Sequence, residues 1–346
     1  MFERLSYLPD DSLPTINIYI FVICYLLFTI FPKYAIIPHM AQFGKLWVIL
    51  NPTAGKGKAE KQRPKIERFL RESKRDFEIL ITKGIGDALN MARDLPIGAD
   101  DVTVAAGGDG TCNEVINGLL LRKASAPPVF GILPIGRGND FSATPAIPQD
   151  VEKALQLLIN GNAKPMDAGF VKGGFFPDGR YFINGVGIGF DTKVGFEAAK
   201  LKIKSGISYA VGAIIMLIRY EPSPVIQIKF DDKEVTLPAV LVSIVNGRRM
   251  GGSFYMGPNA LLDDGLLDIC YVEHQKSRFD LLKIMSHYTK GTQGGCKGVN
   301  FARGSRFHLK AFEGGMAAHS DGETVCYEGK ELEITCIPNA LRLIGG

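Results

Sequence analysis

The chain has 346 residues, 46% hydrophobic and 22% charged, which is typical of a globular protein, and its length suggests two domains. Its net charge of +4 is too mild to indicate a nucleic-acid partner. The six cysteines show no CxxC spacing, and none lies near a histidine at zinc-ligand spacing. We therefore expect reduced thiols, a cytosolic catalytic body and no metal cluster.

The first segment, residues 1–43, is dominated by an uncharged stretch. Residues 12–32 contain no charged side chain, and residues 16–31 (INIYIFVICYLLFTIF) are almost all apolar. A bilayer span needs about 20 such residues. A secretory signal is disfavoured because acidic residues precede the stretch and no small-residue cleavage site follows it. Three interpretations stay open: a membrane anchor, a peripheral hydrophobic segment and a buried core helix.

Residues 44–148 alternate between strand and helix patterns. Strands are expected at 45–50, 77–82, 101–106 and 129–134. Helices are expected from the 51–57 loop to about 73, at 87–94 and at 113–121. Alternation of this kind predicts a Rossmann-like, parallel α/β nucleotide-binding domain.

Residues 149–330 have a different pattern, with one helix at 151–160 followed by short strands between turns. The strands are expected at 181–188, 225–230, 239–245, 266–271, 307–311 and 331–337. Their spacing predicts a largely antiparallel β-sandwich domain. Residues 331–346 are expected to form C-terminal strands that return to the first domain. The apolar segment 205–218 predicts a core helix, with an exposed, lipid-facing helix as the alternative.

Four glycine-bearing loops follow the strands of the first domain, at 51–57, 82–86, 107–111 and 136–140. Ligands bind outside the carboxyl ends of the strands in an open parallel sheet. Glycine lets the backbone approach a ligand closely, and the N-terminus of a helix favours an anion. The four loops together predict a binding site for a phosphate chain.

Asp109 lies among three glycines in the third loop. A phosphate chain would repel this carboxylate unless a divalent cation joins them, and Mg²⁺ suits carboxylate and phosphate oxygens. Alternatively, Asp109 caps a helix that begins near Asn113; both roles are compatible. The Walker, dinucleotide and protein-kinase patterns are absent, so the nucleotide site is of another kind.

A set of motifs follows in a fixed order along the chain. They are NPTAGKGKA (51–59), Thr82-Lys83-Gly84, GGDGTCNEVINGL (107–119), LPIGRGNDF (133–141), GIGFD (187–191), MGGSF (250–254), GPNA (257–260), DDGLLD (263–268) and DGE (321–323). From about Gly44 to the C-terminus the sequence resembles the diacylglycerol kinase catalytic-domain family, which includes bacterial soluble lipid kinases, sphingosine kinases and ceramide kinases. GGDGT alone is shared with NAD kinases, whereas the ordered set is specific.

The resemblance implies ATP contacts in the glycine loops. The matching residues are Asn51, Pro52, Thr53, Ala54, Gly55, Thr82, Gly107, Gly108, Asp109, Gly110, Thr111, Cys112 and Asn113. In the fourth loop Arg137 stands where the family often has threonine. A hydroxyl contact is therefore replaced by a guanidinium that can itself meet a phosphate.

The resemblance also implies a base and a second metal site. Glu323 matches the family's proton acceptor, which takes the proton of a lipid hydroxyl during attack on the γ-phosphate. Asp321 is expected to orient the site or to hold a catalytic Mg²⁺ with Asp109. A further Mg²⁺ maps to Asp264 and the carbonyl groups of Leu261 and Leu266; an ordinary hairpin turn is the alternative interpretation of this segment.

The implied activity is ATP-dependent phosphorylation of a membrane lipid, with diacylglycerol as the expected acceptor, phosphatidic acid as the product and Mg²⁺ as the cofactor. The resemblance makes residues 44–148 the ATP-binding domain and residues 149–330 the lipid-substrate domain. Lysines cluster at 56–65 and 200–204, as expected of an enzyme at the cytoplasmic face of a membrane, peripheral or anchored by residues 12–32. A homodimer is left open. The alternatives are an NAD kinase-like phosphotransferase with a soluble substrate and a non-catalytic lipid- or nucleotide-binding relative.

Overall fold

The apolar strands of the first half form a parallel sheet. The computed structural model describes residues 43–122, 124–200, 207–219, 221–252 and 254–346, so the predicted N-terminal hydrophobic segment and residues 201–206 lie outside the described residues. The strands are β1 (Leu46–Leu50), β2 (Phe77–Ile81), β3 (Val102–Gly107) and β4 (Val129–Pro134). They lie in the order β2-β1-β3-β4, and every adjacent pair is parallel.

Helices connect these strands, as the alternating pattern predicts. They are α1 (Ala54–Glu72), α2 (Asp87–Asp94), α3 (Asp109–Leu120) and, after β4, α4 (Val151–Asn160). β1, β3 and β4 are buried along their whole length, because helices cover both faces of the sheet. The parallel α/β prediction is confirmed.

The second half is antiparallel. Its strands are β5 (Ala163–Gly173), β6 (Phe176–Phe182), β7 (Gly185–Gly189), β8 (Val225–Phe230), β9 (Lys233–Val245), β10 (Arg249–Met250), β11 (Phe254–Tyr255), β12 (Leu267–Glu273), β13 (Val299–Gly304), β14 (Arg306–Glu313), β15 (Met316–Ser320), β16 (Glu323–Gly329) and β17 (Glu331–Ile344). The first part of β9 pairs with β8, and its second part pairs with β7 and β12. β9 therefore passes from one layer to the other, and the predicted sandwich is confirmed.

The last strand connects the two halves. β17 is antiparallel to β14 and β5, and near its end Arg342 lies beside Val129 of β4 in parallel register. The result is one continuous 15-stranded sheet. Residues 43–346 form one compact unit, so the predicted boundaries at 148 and 330 stay predictions.

Three further helices belong to the second half: α5 (Phe190–Lys200), α6 (Ile207–Arg219) and α7 (Arg278–Tyr288). α6 packs against α5 and α7. Gly212 and Met216 of α6 are buried, whereas Ile214 and Ile218 are exposed. Thus one face of α6 is a core face, as predicted, and the opposite face is exposed; whether it faces lipid stays a prediction. No helix within the described ranges is long and apolar enough to cross a bilayer.

Two predicted elements have different bounds in the structure. The strand expected at 181–188 is broken into β6 and β7, because the backbone N–H groups of Ile183, Asn184 and Gly185 donate to the Asp321 carboxylate. The helix expected from Asn113 begins at Asp109. Its N-cap is Gly108 and no side chain caps it, so the capping role considered for Asp109 is wrong.

Candidate active site

The first glycine loop forms a concave backbone turn after β1. Gly55, Lys56 and Gly57 have φ values of 59°, 61° and 82°, outside the helical region although they lie at the start of α1. Successive backbone N–H groups in such a turn form an anion-binding concavity. Pro52, at the beginning of the loop, has no N–H to offer. The Gly57 N–H already donates to the Thr53 carbonyl at 3.1 Å, so the phosphate role of this loop stays a prediction.

Asn51 links the first loop to the third loop through a hydrogen bond. Its Nδ2 donates to Thr111 Oγ1 at 3.2 Å, and its Oδ1 accepts from both the backbone N–H and the hydroxyl of Thr53 at 3.1 and 2.8 Å. Ala54 N donates to the Asn51 carbonyl at 3.1 Å. Several of the predicted nucleotide contacts therefore hold one another in place.

The third and fourth loops touch through glycine. A Cβ on Gly136 would collide with the Gly108 Cα, and a Cβ on Gly107 would collide with the Thr111 side chain. α3 begins directly after this contact, so its first N–H groups, which include that of Gly110, have no partner within the helix. Backbone donors and the positive end of a helix dipole thus lie in the crevice between the two loops.

Asp109 is the acidic group of this crevice. Burial and, after it, the negative charge of Asp140 raise the pKa of its carboxyl group to about 6, although the N–H groups of Phe141 and Asn139 oppose the rise. A Cβ on Gly138 would lie 3.0 Å from Asp109 Oδ2 and 3.9 Å from Asp140 Oδ2. The two carboxylates therefore lie near the same glycine.

Asp140 was missed by the sequence analysis. Its two carboxylate oxygens accept the backbone N–H of Gly252 at 2.8 and 2.9 Å, which ties the fourth loop to the β10–β11 hairpin. Its position in the LPIGRGNDF motif, beside a loop predicted to bind phosphate, was the available signal. Arg137 of the same motif is exposed, so it stays a prediction as a phosphate contact.

The backbone donors of the second loop are engaged within the protein. The backbone N–H groups of Lys83 and Gly84 already donate to Asp87 Oδ2 at 2.6 and 3.0 Å. Thr82 is buried, and its N–H donates to the Leu50 carbonyl at 3.0 Å. These donors support the local fold, so a role for Thr82 in nucleotide binding stays a prediction.

Two further predicted nucleotide contacts point into the protein. Burial holds the pKa of the Cys112 thiol well above its usual value, so the thiol is neutral. Asn113 is fully buried; its Oδ1 accepts from Arg180, and its Nδ2 donates to Asp321 Oδ2 at 3.1 Å. Asn113 therefore connects α3 to the second half of the molecule.

Asp321 is the centre of that connection. Besides the bond from Asn113, its carboxylate accepts the N–H groups of Ile183, Asn184 and Gly185 at 2.9 to 3.0 Å. Burial raises the pKa of Asp321, while these donors oppose the rise. Because its lone pairs are occupied by protein donors, the geometry favours the orienting role over the metal-binding role.

Glu323 follows two residues later, at the first position of β16, and is exposed. The turn before it places Asp321 at φ 48° and Gly322 at φ 89°. Ser320 pairs with Glu323 across this hairpin. Asp321 thus fixes the hairpin that presents the predicted proton acceptor to solvent.

A polar pair that the sequence analysis did not assign lies beside this hairpin. His319 Nε2 is 3.5 Å from Asp191 Oδ2, and a Cβ on Gly187 would collide with both side chains. Asp191 comes from the GIGFD motif at the start of α5. The first glycine of that motif therefore leaves space for the pair.

The predicted second metal site lies in the loop before β12. Asp264 Oδ1 accepts the N–H of Leu266 at 3.1 Å, and its Oδ2 lies 3.5 Å from Arg303 Nη1. The loop is not a hairpin turn, because β11 and β12 do not pair with each other; instead Gly265 N donates to Asp167 Oδ2 at 2.7 Å. Metal binding by Asp264, Leu261 and Leu266 stays a prediction.

In the first half, the glycine loops of a parallel sheet converge on the N-terminus of a helix. The second half is a sandwich that presents a carboxylate. This combination is typical of a phosphotransferase with a nucleotide-binding half and an acceptor-binding half. Comparison with known proteins agrees. Residues 45–171 match the family model described as the diacylglycerol kinase catalytic domain, and residues 184–345 match that of the YegS C-terminal NAD kinase beta sandwich-like domain.

Relatives of this chain carry related names. A Citrobacter koseri protein named "Probable lipid kinase YegS-like" is 31% identical over 88% of this chain and 96% of its own length. The Bacillus subtilis protein named diacylglycerol kinase is 29% identical, over 80% of this chain and 88% of its own length. A crystal structure of a diacylglycerol kinase from Bacillus anthracis is 25% identical, covers 88% of this chain and 98% of its own, and has a TM-score of 0.66.

The chain belongs to the diacylglycerol kinase catalytic-domain family and is a lipid kinase of the diacylglycerol kinase type. Membership of a kinase family implies ATP as the phosphoryl donor. The resemblance drawn from the ordered motifs is thereby confirmed at the level of the family.

Proposed function

We propose that this protein transfers the γ-phosphate of ATP to the free hydroxyl of diacylglycerol and forms phosphatidic acid at a membrane surface. The observation that carries the proposal is the tie between α3 and the Glu323 hairpin. Asn113 and Asp321 hold the predicted proton acceptor in a fixed place relative to the glycine loops, over 208 residues of sequence separation. The nucleotide site and the acceptor site are therefore parts of one rigid frame.

The residues of the crevice fit a bound Mg²⁺. Asp109 and Asp140 offer carboxylate oxygens beside Gly138, and Mg²⁺ prefers one or two carboxylates together with phosphate oxygens and water. The described residues contain no group of three or more ligating side chains, and this mode of binding does not need one. When bound there, Mg²⁺ would offset the negative charge of the transferring phosphoryl group.

The protein's own groups supply the remaining chemistry. The turn at Gly55 and the start of α3 bind the phosphate chain through N–H groups, which keeps the γ-phosphate in place. Glu323 accepts the proton of the lipid hydroxyl as its oxygen forms the bond to phosphorus and the bond to the β-phosphate oxygen breaks. Asp321 positions Glu323 and takes no proton.

The β10–β11 hairpin is held on a packed apolar core. The buried cluster contains Met216 of α6, Met250 and Met256, together with Phe190 at the start of α5. Met250 lies two residues before Gly252, whose N–H donates to Asp140. The hairpin thus joins this core to the fourth glycine loop, while the lipid acceptor is proposed from the family of the chain.

The test is phosphate transfer from γ-labelled ATP into vesicles that contain diacylglycerol, ceramide or sphingosine, with Glu323→Gln beside the wild-type chain. We expect label in phosphatidic acid, and a loss of roughly 100-fold or more in kcat for the variant with little change in the KM for ATP. Glu328→Gln, an exposed change on the same strand, is the matched control.

Other outcomes redirect the proposal. Label in ceramide or sphingosine alone would overturn the acceptor and keep the lipid kinase. Equal labelling by Glu323→Gln would remove Glu323 as the base. Phosphorylation of NAD without any labelled lipid would favour a soluble substrate, and ATP binding without turnover would favour a non-catalytic relative.

A further inference from the structure

The outer face of α7 carries two exposed, large apolar side chains. Leu281, Ile284 and Tyr288 are buried on the opposite side. Phe279 and Leu282, three residues apart and therefore on one face, are 74% and 51% exposed. A soluble helix normally places polar residues on the face away from the core. The exposure of a phenylalanine and a leucine among the charged residues of α7 indicates that this part of its outer face meets something apolar.

The neighbouring helix α6 has the same feature. Ile214 and Ile218, four residues apart, are 54% and 66% exposed, while Gly212 and Met216 face the protein. α6 and α7 pack against each other. The two packed helices together expose four large apolar side chains, which we call the α6–α7 patch: Ile214, Ile218, Phe279 and Leu282.

Cations surround the α7 part of the patch. They are Lys276, Arg278, Lys283 and Lys290, and none has an ion-pair partner among the residues that the structure describes. The one acidic residue of α7, Asp280, is engaged by the Ser277 hydroxyl at the N-cap. The exposed surface of α7 is therefore both apolar and basic, which is the pattern of a helix that lies in the interface of an anionic membrane.

We propose that the α6–α7 patch is the surface by which this kinase docks on an anionic lipid bilayer. The inference rests on the proposed function, since an acceptor with acyl chains resides in a membrane. A second copy of the chain would bring the same cations face to face, which is unfavourable. Lysine is also depleted from the centres of protein interfaces, whereas anionic headgroups attract it.

Docking there would bring the bilayer to the helices that cover the buried apolar cluster. Met216 of α6 and Leu281 and Ile284 of α7 belong to the same cluster as Met250. Met250 belongs to the β10–β11 hairpin, whose Gly252 N–H holds Asp140. One side of the two helices would meet lipid, and the other side packs on the buried cluster that contains Met250.

A direct test places a fluorophore in the patch of the full chain. The sequence contains one tryptophan, Trp47, which is buried. In Phe279→Trp, vesicles of phosphatidylglycerol with bromine-labelled acyl chains should quench the added fluorescence strongly. Leu121→Trp, at the C-terminal end of α3 and similarly exposed, is the matched control and should stay unquenched. Equal quenching of both variants, or of neither, would overturn the proposal.

A second test separates docking from catalysis. Phe279→Ser with Leu282→Ser should weaken sedimentation with phosphatidylglycerol vesicles at least about tenfold, because two exposed apolar side chains no longer enter the interface. Lys310→Ser with Phe312→Ser, an exposed cation and aromatic pair on β14, is the control and should bind as the wild type does. Unchanged sedimentation of the first variant would overturn the proposal.

The same variants also distinguish the two proposals. With a short-chain diacylglycerol dissolved in water, the Phe279 and Leu282 variant should keep wild-type turnover, while its turnover on vesicles falls. Loss of turnover with the dissolved acceptor would mean that the patch serves the active site itself, which overturns docking. If the wild-type chain phosphorylates no lipid yet Phe279→Trp is quenched, the proposed function fails and docking stands.

Discussion

At the scale of single residues, Asp109 is a buried carboxyl group beside a second carboxylate, and both features disfavour its charged form. Burial and the neighbouring Asp140 raise its pKa from 3.8 to about 6. The folded protein thus holds a proton on this group more tightly than the unfolded chain does. Stability is highest below the unfolded pKa and falls as the pH rises through about 6, where the charged carboxylate costs free energy.

Asp109→Asn should therefore stabilise the protein while it abolishes phosphate transfer. At pH 7.5 we expect the free energy of unfolding to rise by roughly 1–3 kcal/mol, and below about pH 4 the gain should vanish. Urea unfolding at several pH values measures this difference, and the labelled-ATP assay measures the activity. Asp100→Asn, an exposed change, is the control. A variant with near-normal turnover would contradict a metal role for Asp109.

At the scale of elements, the β15–β16 hairpin depends on one buried carboxylate. Asp321 accepts three consecutive backbone N–H groups at the break between β6 and β7, and a fourth bond joins it to α3. A strand that ended there without such an acceptor would leave buried donors unsatisfied, at a cost of about 1–3 kcal/mol for each group. The Asp321 carboxylate thus both accounts for the break between β6 and β7 and holds the hairpin on which Glu323 lies.

Asp321→Asn should loosen this hairpin. The new amide places a donor where the carboxylate accepted from Ile183 and Asn113, so we expect a loss of about 1–3 kcal/mol in the free energy of unfolding. Turnover should fall at least about tenfold although Glu323 is unchanged. Thermal unfolding and the transfer assay test both effects.

The control for the hairpin is Glu323→Gln, since that side chain is exposed and should leave stability within about 0.5 kcal/mol of the wild type. An Asp321→Asn protein that keeps its stability but is inactive would assign Asp321 directly to the chemistry. In that case the orienting role described above would be wrong.

At the scale of the whole molecule, β17 makes the two halves one cooperative unit. Leu341 and Leu343 are buried in the core of the parallel sheet, while Leu332 and Ile334, earlier on the same strand, are buried in the sandwich. Since a single strand is part of both cores, neither half keeps its packing when the other unfolds. The described residues should therefore unfold in one transition.

Leu341→Ala should lower the stability of both halves together. Truncation of a fully buried leucine costs about 2–5 kcal/mol, and Leu341 is 0% exposed. Trp47 fluorescence reports the first half, and far-UV circular dichroism reports the whole fold; both should shift to the same lower urea midpoint. Glu333→Ala, exposed on the same strand, should shift neither. Two separate transitions would contradict the single unit.

The local features of the fold could be predicted from the amino-acid sequence. Short stretches of sequence show which strands are buried, where helical spacing begins and where glycine follows a strand. The parallel sheet and the glycine loops after its strands could therefore be predicted. The ordered motifs indicated the family. Periodicity could not separate β6 from β7, because the residues at the break are apolar or small and only a distant carboxylate interrupts the pairing.

Only the tertiary structure decided which polar groups meet. Asp321 and the N–H of Ile183 are 138 residues apart in sequence. Asp140 and Gly252, which form a hydrogen bond, are 112 residues apart. No local pattern encodes such pairs, since each is formed by the packing of one half on the other. The same holds for the α6–α7 patch: the sequence shows an apolar stretch, but which of its side chains remain in solvent depends on what packs against the opposite face.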